Sequence, residues 1–170
     1  MKTDTPLAEA VLPERAPRQL HDLLAHWIAV SETRPPREAD FPFDDLVETH
    51  PGLILLKPER DKKQRLDIRY IRVGPEHNRR NQTEIEGELC SQMLYPHQFD
   101  RFVEVYGEVM ETGRPHYWEI ANTVFGTPPQ EYVRLLLPLY DDEGRFAAFL
   151  ADCIWQDPPE LPAETANRLT

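Results

Sequence analysis

The chain has 170 residues, 40% of them apolar, with a formal net charge of −11. That length suits one domain with a sizeable core, and that apolar share excludes general disorder. With 30 Asp and Glu against 19 Lys and Arg, the chain is a poor general binder of nucleic acid or of anionic membrane, so neither is expected as a partner.

Residues 1–16 read as a flexible polar tail. It carries Asp4 and Glu9 and no apolar signal segment. Pro17 suits the first position of a helix, and Leu20, Leu23, Leu24, Trp27 and Ile28 follow on one apolar stripe. The predicted helix spans 17–34 and stops at Pro35-Pro36, because proline supplies no helical N–H. Such a stripe needs a cover, either its own domain or a second copy of the chain. A homodimer through this helix is the expected assembly.

Residues 35–157 form the main predicted domain. After a connector with a helical turn near 43–48, Leu53 to Leu56 and Arg65 to Val73 read as two strands joined by a polar hairpin. In the second strand Leu66, Ile68 and Tyr70 fall on one side, Ile71 and Val73 on the other. Residues 57–80 are rich in Lys and Arg, which suits a solvated hairpin or a docking patch for an acidic partner or nucleotide. Short helices fit 76–94. A long helix, Pro96 to Thr112, places Phe99, Phe102, Val103, Tyr106 and Met110 inward and ends at Gly113. Three strands follow: His116 to Phe125, Tyr132 to Tyr140, and Phe146 to Trp155, the last two joined by a tight turn. These last two are almost continuously apolar, so both their faces need covering, and the Trp27 helix is the natural second cover. Residues 158–170 read as a second flexible tail. The order predicts an α+β fold: a five-stranded antiparallel sheet with flanking helices and an N-terminal helix.

Several segments in this order resemble PAS domains. Thr83-Glu84-Ile85-Glu86-Gly87 resembles their E-L-I-G turn, Leu94-Tyr95-Pro96 their helix start, and Gly113-Arg114-Pro115 their T-G-x-P exit into a strand. More narrowly, Trp27, Pro36 to Leu46, Arg69-Tyr70 with Gly74, and Arg134 to Leu139 resemble short stand-alone proteobacterial PAS proteins with a leading helix. The resemblance covers about residues 20–155. It implies a cytoplasmic sensory or regulatory module in signal transduction that binds a small ligand, a signalling partner, or both, with no catalytic machinery. There are departures. His97-Gln98 stands where the acid after the proline is usual. Cys90 does not match the photoactive cysteine of flavin-binding light sensors, and no His has a haem-ligand context. No cofactor is therefore assigned.

Aromatic and apolar residues recur on the elements that wall such a cavity: Tyr70, Met93, Phe102, Tyr106, Trp118, Leu136 and Phe149. They line either a ligand pocket or a filled core, since large aromatics also stabilise small domains by burial alone. His97 and Asp100, one helical turn apart, are the nearest candidates for an enzymatic pair or two metal ligands. A small cavity-type enzyme and a ligand-free adaptor are the two alternatives. Cys90 and Cys153 sit in predicted element interiors, where thiols are usually inert.

Overall fold

The computed structural model describes residues 12–122 and 130–156. The tails 1–11 and 157–170, and the last three residues of the strand expected over 116–125, lie outside the described residues.

Helix α1 (Arg18–Ser31) is followed by a single 3-10 turn (Glu38–Asp40) and the short α2 (Phe43–Leu46). Strands β1 (Leu53–Arg60) and β2 (Leu66–Val73) form a hairpin. Helices α3 (Pro75–Asn81), α4 (Cys90–Met93) and α5 (Pro96–Thr112) precede β3 (His116–Asn122), β4 (Gln130–Tyr140) and β5 (Phe146–Trp155). The strands make one antiparallel sheet in the order β2-β1-β5-β4-β3. This is the predicted five-stranded α+β architecture. Pro96 sits at the first turn of α5, where its missing N–H costs nothing, and Gly113 ends the helix in the left-handed region at φ 67°.

Both hairpins close on the same device. Asp61 accepts from the N–H groups of Lys63 and Arg65 and holds the Arg65 guanidinium. Asp141 does the same with Glu143, Arg145 and the Arg145 guanidinium. β1 runs past Leu56 to Arg60, so the hairpin turn is shorter than the sequence reading of 57–64. Basic residues of 57–80 are largely paired: Arg65 with Asp61, Arg69 with Glu59, Arg72 with Asp44, and Arg79 and Arg80 with Glu76. These five arginines of the stretch meet carboxylates within the chain.

The central strands are buried on both sides. Residues 132–139 of β4 and 148–153 of β5 are buried without a break. One cluster fills the inner face, between the sheet and α3, α4 and α5: Ile54, Leu56, Ile68, Phe102, Tyr106, Val109, Leu136 and Phe149 are among its members. In α5 the buried set is Phe102, Val105, Tyr106 and Val109, with Phe99, Val103 and Met110 only half-buried. The apolar face is thus rotated from the one expected, because α5 lies along the sheet on its Val105–Val109 edge. A bulge where β1 meets β2, between Leu55 and Leu56, returns Val73 to the inner cluster beside Leu66 and Tyr70, while Ile71 packs on the outer one. Strict alternation had placed Ile71 and Val73 together.

A second cluster fills the outer face. Leu20, Leu23, Leu24 and Trp27 of α1 are buried against Leu53, Leu55, Val133, Leu135, Leu137 and Leu150, with Ile28 at the margin. The stripe expected to form a homodimer seam is therefore consumed within the chain. A partner copy would have to displace the sheet to reach it. Leu12 and Ala16, assigned to the tail, are buried in the same cluster. Among the described residues the one exposed large apolar side chain is Tyr95, and no helix is long and apolar enough to cross a membrane.

The outer cluster makes a direct prediction. Leu24→Ala removes a fully buried side chain and lowers unfolding stability by about 2–5 kcal/mol. Urea unfolding followed by circular dichroism measures it. An unchanged midpoint would show that α1 does not cover the sheet.

Candidate functional site

The inner face does not close completely. A cavity of about 50 Å³ remains between the sheet and the helices, lined by Tyr70, His77, Asn81, Phe102, Tyr106, Tyr132, Arg134, Ala151 and Cys153 with apolar neighbours. Such a volume holds a few water molecules, each needing roughly 10–15 Å³. Its lining is unusually polar for a core of this size.

Arg134 dominates it. The residue sits on β4 opposite Cys153 of β5 and Trp118 of β3, and is only 2% exposed. Strand alternation directs it inward with Tyr132 and Leu136. Its guanidinium lies 5.1 Å from the Phe102 ring, 5.2 Å from Tyr106 and 5.4 Å from Trp118, measured to the ring centroids. Cation–π attraction of this kind is worth about 0.5–2 kcal/mol per ring. Among the described residues the guanidinium makes one hydrogen bond, a long one, Nη1 donating to the Tyr106 hydroxyl at 3.4 Å. Nε and Nη2 are buried without an acceptor, and no carboxylate pairs with Arg134 among the described residues. Removing a cation from water costs several kcal/mol unless a counter-charge and full hydrogen bonding compensate. Three aromatic faces offset part of that cost.

The other polar groups around the cavity are held neutral. Burial raises the Tyr106, Tyr70 and Tyr132 hydroxyls well above the ordinary tyrosine range, so all three keep their protons. Burial pushes the Cys90 and Cys153 thiols up to about 12, and both are free. These are inert thiols, as their place in the sequence suggested. His77 is pushed down to about 4 by burial, and its Nε2–H donates to the Gly52 carbonyl at 2.7 Å. Gly52 is required there: a Cβ would meet the Cys153 carbonyl oxygen at 1.8 Å.

The structure sorts the residues expected from the sequence. Tyr70, Phe102 and Tyr106 line the cavity. Leu136 and Phe149 are buried in the inner cluster, and Met93 and Trp118 pack against it without lining the cavity. Trp118 nevertheless contributes through Arg134. His97 and Asp100 are both exposed on α5, and the His97 ring stacks on Tyr95 rather than meeting the carboxylate. They form no pair and do not reach the cavity, which removes the enzymatic alternative built on them. No cluster of three metal-ligating side chains occurs among the described residues.

Sequence reading missed Arg134, His77 and Asn81. Arg134 carried a signal: a lone basic residue inside the unbroken apolar run Tyr132-Val133-Arg134-Leu135-Leu136-Leu137. It also missed a buried pair on the outer face, where His50 Nδ1 and Asp152 Oδ2 lie 2.6 Å apart. The hydrogen bond to Asp152 raises His50, and burial raises Asp152.

No family model matches the sequence, and no curated protein is similar to it. Solved structures do share its architecture. A light-oxygen-voltage domain studied with a flavin analogue superposes with a TM-score of 0.54 at 14% identity, over 76% of this chain and 95% of that one. The Rhodobacter sphaeroides LOV protein superposes at 0.50 with 15% identity, over 73% of this chain and 72% of that one. The fold is that of PAS and LOV domains.

Burial of neutral His77 gives the domain an acid limit. A folded-state value near 4 against an ordinary 6.5 means that the unfolded chain binds the extra proton between those pH values. Stability is therefore full above about pH 6.5 and falls on acidification towards pH 4, by about 3 kcal/mol from this group. Urea unfolding at pH 7.5 and 4.5 measures the loss. His77→Gln, which keeps a donor for Gly52, is expected to flatten the profile, and equal slopes in both proteins would refute the assignment.

Proposed function

We propose that the chain is a PAS-type sensory or regulatory module of the cytoplasm. Its interior cavity binds a small molecule, and its N-terminal helix reports the binding to a signalling partner. One observation carries the reading: the inner face of a PAS-type sheet encloses a cavity onto which a buried Arg134 opens with two guanidinium nitrogens that have no acceptor. A core built for stability alone would fill that space with apolar side chains.

The fold neighbours raise flavin as a candidate ligand, and the residues here do not suit it. With Phe102, Tyr106 and Arg134 lining it, the cavity between α5 and the sheet has about 50 Å³, too little for a three-ring system. Cys90, the thiol nearest the helical layer's start, is fully buried and pushed up to about 12, the opposite of a reactive thiolate. A smaller ligand fits this cavity better.

Transmission has a structural basis in β4. Its inner side presents Tyr132 and Arg134 to the cavity, and its outer side packs on α1 through Val133, Leu135 and Leu137. The Trp27 indole N–H donates to the Pro138 carbonyl at 2.9 Å, a buried bond tying α1 to the same strand. A ligand that favours one position of β4 over another shifts the docking of α1 by the difference in its affinity for the two.

Ligand binding and transmission are separately testable. Native mass spectrometry of freshly purified protein is expected to show a small adduct. Ala151→Leu, which fills the cavity from β5, is expected to abolish it. A purely apo mass, together with an Ala151→Leu variant of unchanged or higher stability, would support a ligand-free adaptor instead. For transmission, hydrogen exchange of α1 is expected to change with ligand occupancy. Trp27→Phe, which removes the bond to Pro138, is expected to reduce that change. Identical exchange in α1 with and without ligand would end the transmission mechanism.

A further inference from the structure

We infer that the cavity recognises a small monoanion, specifically a carboxylate on a short apolar body, with Arg134 as its counter-charge. This rests on the cavity being a ligand site and names the ligand's chemistry. Arg134 is a cation almost wholly removed from solvent. Two of its guanidinium nitrogens, Nε and Nη2, lack any acceptor. They form one edge of the planar fork, which matches the two oxygens of a carboxylate. Three aromatic rings flank the guanidinium and bring no charge or acceptor to that edge.

Charge decides between anion classes. The lining contains one cation, Arg134, and no lysine or second arginine. The Tyr106 hydroxyl is held neutral by burial and accepts from Arg134 Nη1, so it adds no charge to the site. A monoanion neutralises Arg134 one to one, whereas a phosphate dianion would leave a net buried negative charge. Size agrees, since about 50 Å³ takes a carboxylate and a few carbon atoms. The remaining walls, Ile54, Leu56, Ile85 and Phe102, suit an apolar body. Tyr106, whose hydroxyl already meets Nη1, is positioned to hold the fork in place.

The probes are acetate and propionate, their neutral counterparts acetamide and propionamide, and inorganic phosphate. Each is titrated at matched ionic strength in chloride against the full-length protein, by thermal shift and by chemical-shift changes of the tryptophan indoles. The carboxylates are expected to stabilise the protein and shift the Trp118 indole. The amides are expected to bind roughly tenfold more weakly or not at all, because they bring no charge to the fork. Arg134→Met is expected to lose the carboxylate response. Arg134→Lys, which keeps the charge without the fork and guards against a folding failure of the Met variant, is expected to retain a weakened one. Tyr106→Phe is expected to weaken it mildly. Equal binding of amide and carboxylate, or a response unchanged in Arg134→Met, overturns the inference while leaving the cavity as a site for a neutral ligand. Phosphate binding above carboxylate overturns it in favour of a phosphorylated ligand. No response to any probe, with a purely apo native mass, overturns both this inference and the ligand-binding reading.

Discussion

Everything in this molecule depends on two strands that must be covered twice. β4 and β5 pair at nine positions and are buried on both faces through their middle. An antiparallel sheet usually leaves one face to water. Here neither face can be left, so the fold needs two helical layers. The inner layer is α3, α4 and α5. The outer one is α1, which arrives from outside the main domain along the connector through Pro35 and Pro36. The edge of β4 shows how closely that connector is tied in. β3 stops pairing at Leu136, and Pro138 beyond it has no N–H to leave unsatisfied. Its carbonyl takes the Trp27 indole, and the next free donor, the Tyr140 N–H, goes to Pro36 O at 2.8 Å.

Double cover also explains what the sequence displayed and what it hid. The period-2 and period-3.6 patterns located nearly every element, and α5 and β5 have the bounds read from the chain. Proline at a helix start, glycine at its end and aspartate in the hairpins are local rules, and local rules survive folding. Faces were harder. The rotation of α5 towards Val105 and Val109 and the bulge that turns Val73 inward both follow from long-range packing, which no window of residues contains. The Leu20–Trp27 stripe was legible as the second cover of β4 and β5, which it is; that β1 adds Leu53 and Leu55 to the covered surface was not.

The site divides along the same line. Aromatic residues of α5 and β2 could be placed near a cavity because their elements could be placed. Arg134 stood out as a lone basic residue in an apolar run, but that it turns inward among Phe102, Tyr106 and Trp118 depended on the register of β4. His77 and Asn81 come from α3, a seven-residue helix in a polar stretch, where nothing in the pattern separates a buried imidazole from a surface one. His97 and Asp100 show the converse error. Spacing one turn apart is necessary for a pair, but the outward face of α5 decides the matter.

The fate of Arg134 therefore bears on how the two layers communicate. A buried charge without a counter-ion makes the inner face the less satisfied of the two. The outer face is well satisfied, with an unbroken apolar cluster and a bonded His50–Asp152 pair. β1, β4 and β5 contribute to both clusters, and β4 is the one that carries both Arg134 and the Pro138 carbonyl. In the mechanism proposed above, neutralising Arg134 relaxes the inner face, and β4 is the direct route outward, since Arg134 and Pro138 lie four residues apart on it. β4 meets α1 through Val133, Leu135 and Leu137 and through the Trp27–Pro138 bond. An unsatisfied cation under one face and a hydrogen-bonded helix over the other are the features on which the proposed ligand-driven change in helix docking rests.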